Sequence, residues 1–190
     1  MNSRQLIKVL ATLVLMVASA GPSFGMPEDS KAKGEYPLLR PGLNNAFTGW
    51  LQIFEEKPLS QLKCDELIFR RIKLPAFKDS VCMRLEFGKE KARVTVKIKE
   101  KPMVGEKPVD IEVSKFELSK QETESIKGYI DKVRSQFDKP SENNIGNDGE
   151  CILYEIFENG EHKYAERWSP ENTALKELNL ELNSFTHRKK

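Results

Sequence analysis

Residues 80–99 read SVCMRLEF-GKEK-ARVTVKIK, and their reading decides the fold. Val81, Met83, Leu85 and Phe87 alternate with Cys82, Arg84 and Glu86. After a polar turn, Ala92, Val94, Val96 and Ile98 alternate with Arg93, Thr95, Lys97 and Lys99. A period of two with one apolar and one polar face predicts neighbouring strands of an antiparallel sheet, half open to water.

Working outward, Leu67–Leu74 predicts a strand ending at Pro75. Val109–Val113 predicts another, with Val109, Ile111 and Val113 turned inward. Ser119 stands three residues before Glu122, which makes a capping box and opens a helix. Ile126, Tyr129, Ile130, Val133 and Phe137 form its apolar stripe, and Pro140 with the polar run 141–149 stops it. Cys151–Phe157 and His162–Trp168 flank Asn159-Gly160, a short hairpin signal. Ser169 then caps a last helix with Pro170 at its first position; its stripe is Ala174, Leu175, Leu178, Leu182 and Phe185. The tail His187–Lys190 is basic and expected to fray. These elements predict an α+β domain over 61–186. Its antiparallel sheet has about six strands in the order β-meander, helix, β-hairpin, helix, with the two amphipathic helices packed on one face.

The first 25 residues read differently. Arg4 and Lys8 precede the apolar run Val9–Ala20, which is too short to span a bilayer comfortably, and Gly21 and Pro22 follow it. This pattern predicts a signal peptide cut after Ala20 or Gly25, and hence a periplasmic or secreted product. No later stretch reaches membrane length, and no Cys follows either cut for lipid attachment. Residues 26–60 predict a flexible lead-in rich in Pro and Gly. It carries a short apolar cluster, Phe47–Glu55, that docks Trp50, Ile53 and Phe54 on the core.

Charge narrows the partners. Losing Arg4 and Lys8 with the leader leaves 29 basic side chains against 29 acidic ones. A near-neutral product excludes a case for nucleic acid built on global charge. Cys64, Cys82 and Cys151 allow at most one internal bridge, by any of three pairings. They do not supply a zinc set, no catalytic signature is present, and no cofactor is implied.

Three groups of side chains stand out. Glu155, Arg167 and Trp168 put a carboxylate, a guanidinium and an indole on one hairpin, suited to a polar ligand or to tying the strand to a helix. A two-residue turn would set Glu155 opposite Tyr164 and on the face away from Arg167; a three-residue loop would put both on one face. Lys89, Lys91, Arg93, Lys97, Lys99 and Lys101 share odd parity and predict a basic stripe. That stripe suits a weak anionic-surface contact, or serves as a solvated face that resists edge-to-edge aggregation. The loop 141–150 is oxygen-rich but lacks EF-hand spacing, and reads as a turn-rich connector. His162 lies near Glu155 and Glu166, and either pairing would admit acid–base chemistry; the abundant carboxylates also leave paired-acid glycoside chemistry open.

The string Asp148-Gly149, Glu155, Gly160 and Arg167-Trp168-Ser169-Pro170 resembles a family of small exported bacterial proteins with a "DG…E…G…RWSP" signature. Leu67–Glu86 is similar to that family's upstream strands. The resemblance covers residues 67–185 and implies architecture without an activity. The family's tyrosine–histidine pair falls here on His162 and Lys163, and its tryptophan on Ile152. The functional expectation is a non-catalytic interaction module that binds a protein or envelope component. The alternatives are an inhibitor or immunity protein against a toxin or hydrolase, and an envelope hydrolase using His162 with a carboxylate.

Overall fold

The computed structural model describes residues 41–62, 66–76, 78–101, 110–137, 139, 149–168 and 173–188, with side chains from Ala46 onward. The strands are β1 (Leu67–Pro75), β2 (Ser80–Phe87), β3 (Ala92–Lys99), β4 (Glu112–Glu117), β5 (Glu150–Glu158) and β6 (Glu161–Trp168). The helices are α1 (Pro41–Ile53), α2 (Lys120–Val133) and α3 (Thr173–Thr186). All neighbouring strands pair antiparallel in one sheet of order β4-β3-β2-β1-β5-β6. This is the expected α+β architecture, with the meander β1–β4 on one side and the hairpin β5–β6 added beside β1.

Alternation fixes the inner face. Met83 lies opposite Val96 on one neighbour and Arg71 on the other. Phe69, Met83, Leu85, Val94, Ile152 and Tyr154 join the buried stripes of α2 and α3 in one core. The predicted capping box opens α2: Ser119 N–H donates to Glu122 Oε2 at 2.8 Å and Glu122 N–H donates to Ser119 Oγ at 3.3 Å. A 3-10 turn at Arg134–Gln136 then delivers Phe137 edge-on to Tyr154, with centroids 6.4 Å apart. The hairpin turns on Asn159 (φ 51°) and Gly160 (φ 80°), the paired left-handed conformation of a two-residue turn.

Three expectations are corrected. First, the segment read as a lead-in holds α1, with Pro41 and Gly42 in its first turn. Phe47, Leu51 and Phe54 pack on the outer face of the sheet against Ile72, Cys82, Leu153 and Tyr164. The outer face is therefore partly covered, and Ile53 points to solvent at 45 % exposure instead of docking. Second, β4 starts later than predicted and runs in the opposite parity. Phe116 packs against Phe185, centroids 6.0 Å apart, and that anchor turns Val113 outward to 49 % exposure. Third, the start of the basic tail is tied: Arg188 Nη1 sits 2.8 Å from Glu122 Oε1, with its guanidinium over the Phe116 ring. The predicted leader, Cys64, Val109, the connector 141–148 and the Ser169-Pro170 start of α3 lie outside the described residues.

Candidate functional site

Two consecutive arginines in the apolar strand β1 must point to opposite faces. Arg70 points outward, opposite Arg84 of β2 and Glu155 of β5. Two guanidinium groups directly across a strand pair repel, so carboxylates must separate them. Glu155 takes Arg70 through a fork, Nε to Oε2 at 2.5 Å and Nη2 to Oε1 at 2.8 Å. The remaining Nη1 donates to the Lys57 carbonyl at 2.6 Å. Glu56 accepts from Arg84 Nη1 and stands 2.8 Å from Lys97 Nζ and 3.7 Å from Arg70 Nη1. Arg84 Nε donates to Glu86 at 2.9 Å. Arg70, Arg84 and Lys97 are thus balanced by Glu56, Glu86 and Glu155 in one network across four strands and the chain before β1.

The end of α1 delivers Glu56 to this place. Glu55 adopts a left-handed φ of 52°, with Glu55 N–H donating to Gln52 O at 3.0 Å and Glu56 N–H to Leu51 O at 2.8 Å. This is a Schellman termination, built with Glu where Gly is the favoured residue. Lys97 Nζ donates to the freed carbonyls of Phe54 (2.6 Å) and Glu55 (3.1 Å), so one lysine both caps α1 and neutralises Glu56.

His162 completes the site from β6. Its Nε2 lies 3.1 Å from Glu155 Oε1, and its ring packs on Tyr164 with centroids 5.7 Å apart. Burial alone would raise the Glu155 pKa, but Arg70 and His162 outweigh burial and hold the carboxyl below its ordinary range. Beneath α1, burial pushes the Cys82 thiol up to about 12, with Glu56 adding to the effect; it is not a nucleophile. Cys82 and Cys151 are not joined to each other, and Cys151 Sγ donates to Glu166 Oε1 at 3.4 Å.

The hairpin residues separate as the two-residue turn requires. Glu155 pairs with Tyr164 and faces outward; Arg167 pairs with Ile152 and faces inward. Arg167 donates to the Gln136 carbonyl at 2.5 Å and so ties β6 to the end of α2. Trp168, half-buried, pairs with Cys151 and shares the outer face with Glu155 at the far end of the hairpin. The basic stripe is broken into parts. Lys89 and Lys91 sit in the β2–β3 turn, where Lys91 pairs with Glu117 at 2.8 Å. Lys97 is drawn under α1, Lys99 is half-buried, and Lys101 Nζ donates to the Ala76 carbonyl. Arg93 remains open, its side chain 73 % exposed with Glu86 3.4 Å away. Arg70, Arg84 and Glu56 escaped sequence reasoning; the adjacent arginines in an apolar strand were the signal that buried carboxylates had to meet them.

Beyond α1, over β2–β4, the outer face forms a shallow concavity of about 400 Å³. Arg84, Arg93, Lys115 and Thr95 line it with Glu86 and Glu117. His162 and Glu155 line neither this concavity nor the second described one. Among the described residues no group of three or more His, Cys, Asp or Glu side chains could hold a metal, and no helix is long and apolar enough to cross a membrane. Fold and site together define an α+β protein with a charged network beneath a helical arm. In comparisons with known proteins the chain matches no family model, no curated protein and no solved structure.

Proposed function

We propose that the protein is an exported, non-catalytic interaction module that binds an anionic component of the cell envelope through the open β3–β4 part of its outer face. One observation carries this reading. The arm α1 covers only part of that face, leaving Arg93 and Lys115 on the concavity and Val113 exposed on the same face. Glu86 is shared by Arg84 and Arg93 and Glu117 is engaged by Lys91, so the carboxylates there are largely neutralised while Arg93 and Lys115 stay exposed to a partner. The leader-like start and the likeness of the hairpin string to small exported proteins support the compartment.

Retention of the mature protein on vesicles containing an anionic phospholipid tests the surface. Retention should fall steeply as salt rises, and Arg93→Glu with Lys115→Glu should abolish it. Salt-independent retention, or none, removes the proposal, and retention only on an acidic protein column moves it to a different partner. N-terminal sequencing of the envelope fraction should find a chain starting at residue 21 or 26. A cytosolic product retaining Met1 would overturn the compartment.

The contact of His162 Nε2 with Glu155 favours a second reading, an envelope hydrolase with His162 as general base. Arg70 holds Glu155 on both oxygens, which suits anchoring better than proton relay. His162→Ala should leave vesicle retention intact; loss of a hydrolytic turnover in that variant would restore the enzyme reading.

A further inference from the structure

On the inner face, a second cleft of about 320 Å³ opens between the β1–β3 ends and the C-terminal end of α3. Its floor is apolar: Pro75, Val81 and Ile98. Its rim is cationic and polar. Lys78 and His187 stand there without an ion pair among the described residues, and Lys73 is held 2.7 Å from Glu150. Asp79 is occupied by the Lys101 backbone N–H at 3.0 Å. The wall contains Thr186, whose Oγ1 is buried with no hydrogen-bond partner. A buried hydroxyl without a partner calls for a missing one.

A second orphan lies one step deeper. Arg71 precedes Lys73 by two residues and shares its face, and Asn179 precedes Asn183 by one helical turn on α3. Lys73 and Asn183 line the cleft, while Arg71 bonds Asn179 Oδ1 at 3.1 Å. Arg71 Nε and Nη2, both buried, have no partner. Positive charge therefore lies behind the cleft as well as at its rim.

We propose that this cleft binds a small monocarboxylate with a short apolar chain. The chain lies on Pro75, Val81 and Ile98, and the carboxylate accepts from the Thr186 hydroxyl and pairs with Lys78. A single negative charge suits the site better than a phosphate dianion, because Asp79, Glu150 and the carbonyl end of α3 stand close by.

Titration of the mature protein with hexanoate, followed by backbone amide NMR, tests this. Saturable shifts are expected at Lys73, Ile98, Asn183 and Thr186, with hexanol and inorganic phosphate each at least fivefold weaker. Thr186→Val and Lys78→Glu should each weaken hexanoate about fivefold, the loss of one hydrogen bond or one rim ion pair. Lys78 is exposed, so its variant folds whatever the fate of Thr186→Val. Absence of shifts at the cleft, equal binding of hexanol, equal binding of inorganic phosphate, or indifference to Lys78→Glu with Thr186→Val folded and unaffected would each overturn the assignment.

Discussion

Arg70 and Arg71 are neighbours in β1, both at 0 % exposure, and their surroundings differ. Every guanidinium nitrogen of Arg70 has a partner: Glu155 twice and the Lys57 carbonyl once. Arg71 reaches Asn179 through Nη1 alone, at 3.1 Å to Oδ1 and 3.4 Å to the carbonyl. Burial lowers the Arg71 pKa to about 10, with Tyr154 and Glu150 offsetting only part of that. The outer face received its counter-charges from β5 and from the segment that follows α1. The inner face received helices shaped for apolar packing, which bring an amide, Asn179, while β5 brings only the phenol of Tyr154. A dry interior tolerates an ion when complete partners arrive with it, and otherwise the ion opposes folding.

The largest expected effect breaks the satisfied side. Glu155→Gln leaves Arg70 buried with an uncompensated charge and should cost about 3–5 kcal/mol in urea unfolding. Adding Arg70→Met in the same chain should recover most of that loss. A cost near zero for the single variant would mean that water reaches Arg70 and the two sides are alike. Acid separates them as well. The Glu155 pKa is lowered in the folded protein from its ordinary 4.5, so its contribution is fully present above that value and fades as pH falls through the folded value. The Glu155→Gln variant should show a shallower loss of stability over that acidic range.

Next comes the unsatisfied side. Arg71 holds its proton less tightly folded than unfolded, so at neutral pH its charge destabilises the fold. Arg71→Met keeps the volume and should be neutral or stabilising by roughly 1 kcal/mol, read as a shift in urea midpoint. A clear destabilisation would show that Asn179 and Tyr154 satisfy Arg71 after all, and the contrast would dissolve.

The two faces of the sheet were legible before the fold was known, and the contrast between the two arginines was not. The alternation of 80–99 set the inner face, and Asn159-Gly160 marked the hairpin, while the register that parts Glu155 from Arg167 was left open between two loop lengths until the fold was seen. The Ser119–Glu122 box placed the start of α2 because its signal is local. The network was hidden because its members are far apart in sequence: Arg70 and Glu155 are 85 residues apart, and Arg84 and Glu56 are 28. Charge parity along one strand counted Lys97 as part of an open stripe; only the packing of α1 over the outer face shows why it is covered there. The β4 parity failed for a similar reason. Val109, Ile111 and Val113 alternate well in isolation, yet the distant Phe185 selects Phe116 for the inner face.

The smallest expected effect concerns the strained junction that feeds the satisfied side. Glu55 holds φ 52° so that Glu56 can enter beneath α1, and Lys97 binds the carbonyls of Phe54 and Glu55. A non-glycine residue in this region costs about 1 kcal/mol, and glycine relieves it at the price of a looser unfolded chain. Glu55→Gly should therefore stabilise by roughly 0.5–1 kcal/mol, seen as a higher urea midpoint with an unchanged slope. The gain should vanish in a Glu56→Gln background if the strain exists to place that carboxylate, because the arm then has less reason to hold its bend. An equal gain in both backgrounds would separate the backbone strain from the ion network and leave the satisfied side to Glu155 and the Lys57 carbonyl.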